Sequence, residues 1–296
     1  MSNTALTPIL VTGSGGLIGS QFGLEFASKY TVEPIDISNP NKPVDITKPE
    51  QVLSAFSKSK APVVIHFAAY TNVTGAWEQR DDTSGPAYQV NVTGTQNIVD
   101  ACKQTGKHLI HISTAYIFDG EKTGLYLEGD TSNPIEWYGK TKQLAEEVVQ
   151  SSSIAWTIFR IDQPFRSDPF PRADVAHNIA HKLQTNSLPP MFTDHFFGPT
   201  YINDFSKVLD WAIRTRTTGV FHASSGEQWT DFDFAKAVQD ALKLPGEVRK
   251  GSLEAYLKTL NRPYQKNTAM NTQKLQSVLD FELTPIIAAL SQLSFD

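Results

Sequence analysis

Tyr138 and Lys142 stand four residues apart in the run Trp137-Tyr138-Gly139-Lys140-Thr141-Lys142. Ser132, Asn133 and Pro134 come shortly before and read as a capped helix start. Leu144-Ala145-Glu146-Glu147-Val148-Val149 follows and reads as helix. Residues i and i+4 of a helix share a face, so a phenol and an ammonium would point the same way. The cation favours phenolate and draws the phenol pKa down from its ordinary value of about 10. Such a tyrosine is a general acid or base. A solvated helix face carries the same two residue types, so the pair gains meaning only from the elements around it.

The first of those elements lies near the N-terminus. Ile9–Thr12 reads as a short strand, Gly13-Ser14-Gly15-Gly16-Leu17-Ile18-Gly19 as a turn, and Gln21–Ser28 as helix. Glycines at 13, 16 and 19 permit a tight turn and let backbone amides meet a pyrophosphate at a helix N-terminus. The next strand, Tyr30–Ile35, ends at Asp36, 17 residues past Gly19. An acid near that spacing hydrogen-bonds the ribose 2′-hydroxyl of NAD and repels a 2′-phosphate. Ile37-Ser38-Asn39 offer no base for a phosphate, so NAD(H) is expected over NADP(H). Pro34 is awkward in an interior strand and suggests a bulge or a strand end.

Two more strand ends look able to receive a ligand. Pro62–Phe67 runs into the small residues Ala68-Ala69 and then Tyr70-Thr71. Leu109–Ile112 runs into Ser113-Thr114, whose hydroxyl could hold a carbonyl beside Tyr138. In open parallel sheets ligands lie outside the carboxyl ends of the strands.

With 40% hydrophobic and 19% charged residues, the 296-residue chain suits one large α/β domain or one with a smaller lobe attached. A formal charge of −5 without a basic run argues against nucleic acid. The lone Cys102 cannot form an intrachain disulfide, which fits a reduced, cytoplasmic setting. No apolar run approaches the roughly 20 residues of a membrane span. Met1–Pro8 lacks the basic start and long apolar region of a signal peptide. The histidines show no metal-ligand spacing, and His108 and His111 read as structural.

Strands and helices alternate as far as the strand Ile154–Ile161, through helices Pro49–Ser57 and Ala87–Thr105. Alternation of this kind predicts a doubly wound parallel sheet. From Asp162 prolines break the chain into short pieces around helix Ala173–Gln184. Ile202–Arg214 and Val220–Ala223 read as a return to the sheet, and Phe232–Leu242, Ser252–Thr259 and Asn271–Leu279 as short helices of a C-terminal lobe. The expected division is residues 1–161 with 200–223 as a Rossmann domain, and 162–296 mainly as a smaller mixed lobe.

Together these motifs resemble the extended short-chain dehydrogenase/reductases, and most closely the dTDP-4-dehydrorhamnose reductase group. The likeness runs nearly end to end: Gly13–Gly19, Asp45-Ile46, Ala68-Ala69-Tyr70-Thr71 with Val73, Asn91, Ser113–Gly120 and Tyr138–Lys142. Later come Arg160, Asp194 with Gly198-Pro199-Thr200-Tyr201, Arg262-Pro263 and Lys274-Leu275. The resemblance implies hydride transfer from NAD(P)H to a 4-keto sugar nucleotide, with Tyr138 as proton donor, Lys142 on the nicotinamide ribose and Thr114 on the carbonyl. It implies a cofactor site of Gly13, Gly15, Gly16, Leu17 and Ile18, then Asp36, Asp45 and Ile46. Ala68, Ala69, Tyr70, Thr71, Asn91, Ser113 and Arg160 complete it. For the sugar it implies Val73, Thr114, Ala115, Tyr116 and Gln163. No metal is implied. Members of the group are often dimers, so a homodimer is the corresponding expectation.

Two positions depart from the group. Ala115 stands where an Asp is usual after the catalytic Thr, and Gln163 stands where a Trp lies near the sugar. Both touch the sugar pocket and leave the Tyr/Lys/Thr set whole, so the departures bear on which sugar is taken. Epimerases use the same three residues and are the nearest alternative. Dehydratases place an Asp-Glu pair where this chain has Ala115-Tyr116. The regulatory subunit of methionine adenosyltransferase also resembles this group; Asp194-His195 and Gly226-Glu227-Gln228 are similar to it. That reading makes the protein a dinucleotide-binding module serving a partner.

Overall fold

The computed structural model describes residues 6–295. The reading of Met1–Pro8 therefore lies largely outside the described residues. The chain forms two compact units. Unit 1 holds the residues up to Ser113 together with Trp137–Phe159 and Leu209–Val220; unit 2 holds Thr114–Glu136, Arg160–Val208 and the chain from Phe221 onward.

The described strands include β1 (Thr7–Thr12), β2 (Tyr30–Ile35), β3 (Val63–His66), β4 (His108–Thr114) and β5 (Trp156–Ile161). They join the strand Gly219–His222 in a six-stranded sheet, with that strand at one edge followed by β5, β4, β3, β1 and β2. β1 pairs in parallel with β2 and β3, and β3 with β4. Parallel neighbours need crossover connections, and helices supply them. Among these are α1 (Leu17–Glu25), α2 (Pro49–Lys58), α3 (Val73–Trp77), α4 (Pro86–Tyr88), α5 (Gly94–Thr105) and α6 (Trp137–Gln150). The strand order reverses between β1 and β3, which is where doubly wound sheets receive ligands.

The sheet explains Pro34. Pro34 lies on β2, where it pairs with Val11 of β1, and β2 is the outermost strand, where a missing amide donor breaks no ladder. No bulge or strand end is needed. The core of unit 1 packs Leu10, Val64, Leu109 and Ile158 of the sheet with Val52 and Phe56 of α2 and Ile98 and Cys102 of α5. Val52 and Phe56 are spaced i, i+4 and fully buried, worth about 1.5–3 kcal/mol each.

Two helices differ from their sequence reading. α6 begins at Trp137, and Ser132-Asn133-Pro134 lie in irregular chain before it rather than at the helix start. Ala87–Thr105 is not one regular helix: Gln89–Thr93 is a π-helical turn between α4 and α5.

Unit 2 contains two-stranded pieces: Pro164–Phe165 with Thr200–Tyr201, Phe196–Phe197 with Trp229–Thr230, and Met191–Phe192 with Lys250–Gly251. The helix Val175–Gln184 starts at Asp174, whose carboxylate accepts the His177 amide. The helix Asp231–Leu242 starts at Thr230, whose hydroxyl accepts the Asp233 amide. Phe165, Phe197, Tyr201 and Phe234 centre the core of this unit, with Phe234 meeting Phe165 and Phe197 edge to face at 5.9 and 5.3 Å.

Candidate active site

The glycine turn is built for close approach. Gly13 has φ +65°, which glycine adopts at little cost. A Cβ there would stand 2.8 Å from the Ala68 amide nitrogen, so Ala68 lies directly against the turn. The Thr12 hydroxyl accepts that amide at 3.1 Å. A Cβ at Gly19 would come within 2.6 Å of the Gly13 carbonyl oxygen. Gly16 is the N-cap of α1 and has no side chain to cap the first turn, which also carries no acid. Leu17 and Ile18 open the helix and are half-buried.

Asp36 closes over this turn. Its Oδ2 accepts the Gly15 amide at 3.3 Å, and its Oδ1 accepts the amide and hydroxyl of Ser38 at 3.0 and 2.8 Å. Asp45 is spent locally instead: its Oδ1 accepts the amide and hydroxyl of Thr47. Ile46 is buried, and its carbonyl accepts the Asn97 side-chain amide at 2.9 Å.

Asn91 sits in the π-helical turn, and its fully buried side chain makes three bonds. Its Oδ1 accepts the Tyr70 amide at 2.8 Å, while its Nδ2 donates to the Tyr70 carbonyl at 3.1 Å and the Thr141 hydroxyl at 2.9 Å. It thus ties the Ala68-Ala69-Tyr70-Thr71 stretch to α6, one residue from Lys142. Thr71 is exposed and Val73 begins α3 half-buried.

Tyr138 lies in the first turn of α6, packed with Tyr70, Trp77 and Tyr88 around Trp137. Lys142 is only 3% exposed, and its ammonium donates to the Ile112 carbonyl of β4 at 2.7 Å. Burial lowers its pKa to about 8, opposed by Glu146. Ser113 is the next residue of β4, buried, with a hydroxyl that has no hydrogen-bond partner among the described residues.

Two histidines share this interior. His66 bonds the hydroxyls of Thr12 and Thr95 at 2.7 and 3.1 Å. The His111 ring lies 5.3 Å from it, tilted by 42°, with both ring nitrogens unpartnered among the described residues. Burial, and then the Lys142 charge, hold both imidazoles far below their usual range, His66 at about 3.

The remaining expected residues belong to unit 2. Thr114 ends β4, and its hydroxyl oxygen accepts the Tyr116 amide at 3.2 Å. Ala115 is fully buried with Ile117, Phe118, Tyr126 and Met270. Burial pushes the Tyr116 phenol well above its ordinary pKa, helped by Tyr264 and Asp162. Arg160 is buried over the Phe118 ring at 5.5 Å, near the Glu128 carbonyl and His222. Gln163 adopts φ +37°, a left-handed backbone unusual for a side-chain-bearing residue. Asp162, which the sequence motifs did not single out, is the buried acid beside it. An acid at the carboxyl end of a strand was the available signal.

Among the described residues no group of three or more His, Cys, Asp or Glu is placed to hold a metal ion. No helix among them is long and apolar enough to cross a membrane.

A family model described as the RmlD substrate binding domain matches residues 7–294. The chain belongs to that family. The RmlD relatives include the dTDP-4-dehydrorhamnose reductase of Aggregatibacter actinomycetemcomitans, 30% identical over 78% of this chain and 78% of that one. The methionine adenosyltransferase 2 subunit beta of Mus musculus is 26% identical over 96% of this chain and 86% of that one. Among solved structures, dTDP-4-dehydrorhamnose reductase from Bacillus anthracis in complex with NADP superposes with a TM-score of 0.88 at 24% identity, covering 98% of this chain and 99% of that one. This RmlD-family chain is an NAD(P)-dependent oxidoreductase of the extended short-chain dehydrogenase/reductase type. A dinucleotide fits the bare glycine turn, the uncapped start of α1 and the Asp36 carboxylate fixed beside them.

Proposed function

We propose that this protein reduces the keto group of a 4-keto (deoxy)sugar nucleotide, as dTDP-4-dehydrorhamnose reductases do, and favours NADH over NADPH. Unit 1 is the cofactor domain in this reading and unit 2 receives the sugar. The observation that carries it is Lys142: a buried ammonium pinned to the Ile112 carbonyl, one helical turn from Tyr138. A buried cation is costly unless it serves something, and a neighbouring phenol that must release a proton is such a use.

The dinucleotide, when bound, supplies the hydride. Tyr138 donates its proton to the carbonyl oxygen as negative charge grows there, and Lys142 keeps that phenol acidic and holds the nicotinamide ribose. The Thr114 oxygen already accepts an amide, so its hydroxyl proton remains to donate to the same carbonyl. Asp36, oriented by Gly15 and Ser38, accepts the ribose 2′-hydroxyl and repels a 2′-phosphate. The buried, unpaired Cys102, whose thiol burial pushes up to about 12, fits a reduced cytoplasmic setting.

The test is a panel of keto sugar nucleotides followed by nicotinamide absorbance, run with NADH and with NADPH. Turnover of at least one substrate is expected, with higher kcat/KM for NADH. Because Ala115 and Gln163 depart from the group's pattern, the rhamnose precursor dTDP-4-keto-6-deoxy-L-lyxo-hexulose should be turned over less well than another member of the panel. Turnover of nothing would overturn the reading in favour of a dinucleotide-binding regulatory subunit, a role supported by the end-to-end likeness to methionine adenosyltransferase 2 subunit beta.

A further inference from the structure

Asp162 lies immediately past the carboxyl end of β5 and is 2% exposed. Its two oxygens are treated differently. Oδ2 accepts the Thr268 hydroxyl at 2.6 Å and the Gly198 amide at 3.1 Å. Oδ1 is equally buried and has no hydrogen-bond partner among the described residues. A lone acceptor in a dry interior is destabilising unless something else supplies a donor.

The surroundings point to a ligand as that donor. The next residue, Gln163, holds φ +37°, and strain of this kind is retained where a site requires it. Two further buried polar atoms nearby are also unpartnered, the Arg262 Nε and the Gln265 Oε1. Gln265 donates to the Tyr116 carbonyl at 3.4 Å, and the Arg262 guanidinium lies 5.0 Å over the Tyr264 ring. Asp162 and Arg262 both act electrostatically on Tyr116 and Tyr264, which hydrogen-bond each other. Acceptor, donor and acceptor are thus left open around one pair of phenols. The charged and titratable groups facing Asp162 are His195, which is paired with Asp231 at 2.6 Å, together with Tyr116 and Tyr264.

We propose that Asp162 is a specificity-determining residue whose Oδ1 accepts a hydrogen bond from a pyranose hydroxyl of the sugar nucleotide. The proposal rests on the sugar-nucleotide reading above and names the part of the sugar that unit 2 recognises. Burial raises the carboxyl to about 6, against the bonds from Thr268 and Gly198, the His195 charge and the adjacent Gln163 amide, which stands outside hydrogen-bond geometry to Oδ1; the carboxyl is mainly ionised at neutral pH. An anionic acceptor suits a neutral, hydroxylated sugar and disfavours a uronate.

The experiment uses the NADH-loaded protein with dTDP-4-keto-6-deoxyglucose and its 2-deoxy and 3-deoxy counterparts, reading kcat and KM by absorbance and Kd by calorimetry. In the wild type one deoxygenated sugar should bind about ten- to hundredfold more weakly than its parent, the range of a hydrogen bond to a charged group. Asp162→Asn keeps a carbonyl oxygen for Thr268 and Gly198 but turns the open acceptor into a donor. In that variant a neutral amide replaces the charged acceptor, so the parent-to-deoxy penalty should shrink at least severalfold, with NADH affinity unchanged. An identical penalty in both proteins, or none in the wild type, overturns the proposal and leaves Asp162 a structural tie with water on Oδ1. If Asp162→Asn fails to fold, the wild type decides by itself. The parent-to-deoxy ratio should shrink as pH falls below about 6, and a constant ratio overturns the proposal. Binding without turnover defeats the reductase reading alone, turnover without this coupling defeats the Asp162 proposal alone, and absence of binding defeats both.

Discussion

Lys142 works through where it is held. Its ammonium is out of water and bonded to a β4 carbonyl, and burial lowers its pKa to about 8. A lysine loses its charge as pH rises through its pKa, so the ribose anchor and the field on Tyr138 fade above about pH 8. The kcat of the wild type should therefore fall on an alkaline limb near 8. Lys142→Arg, whose guanidinium stays charged, should push that limb beyond the measurable range while lowering the plateau. A profile flat to pH 10 in the wild type would show that Lys142 does not govern the step. The pairing of Tyr138 with Lys142 was legible in the sequence because helix geometry alone sets it. The depth of Lys142 was not, because it depends on Ile112, thirty residues earlier. Asp162 escaped notice for the same reason: its partners, Gly198 and Thr268, are remote in sequence.

At the scale of elements, the glycine turn separates two functions that one motif combines. Gly13 has a left-handed backbone with the Ala68 amide in the way of any Cβ, so Gly13→Ala should cost about 1–3 kcal/mol and lower the Tm by several degrees. A Cβ at Gly16 meets only the Gly13 carbonyl, at 3.2 Å, which a small shift relieves. Gly16→Val should keep most of the Tm and lose dinucleotide binding by calorimetry, since its bulk stands where the pyrophosphate approaches. Equal effects of the two substitutions on both readouts would contradict this division. The turn was readable because strand, glycines and helix are contiguous. The π-helical turn at Gln89–Thr93 was not, since Asn91 takes its partners from Tyr70 and Thr141. The cap-like Ser132-Asn133-Pro134 misled because local propensity yields to the packing that starts α6 at Trp137.

At the scale of the molecule, several histidines are folded away uncharged. Burial holds His66 and His222 at about 3 and His108 at about 4, with Lys142, Arg160 and Arg216 adding to the effect. In the unfolded chain each takes up a proton near pH 6.5, so the unfolded state binds more protons below that pH and stability falls as pH drops from about 6.5 toward 4. Asp162 and His177 have the opposite sign, their raised pKa values favouring the fold at the acid end, but they are two groups against the four histidines His66, His108, His111 and His222. The Tm should decline steadily between pH 7 and 5, and a Tm that is level or rising on acidification would contradict this. The doubly wound class was readable from alternating strands and helices, and the outer place of β2, which explains Pro34, only from the sheet order. Whether the assembled molecule is a reductase turns on Tyr138. Tyr138→Phe removes one oxygen and keeps the ring among Trp137, Tyr70 and Tyr88. The decisive measurement is NADH consumed with the best keto sugar nucleotide by wild type and Tyr138→Phe side by side. Turnover should fall about a hundred- to ten-thousandfold with NADH affinity unchanged; a variant as fast as wild type would contradict the account.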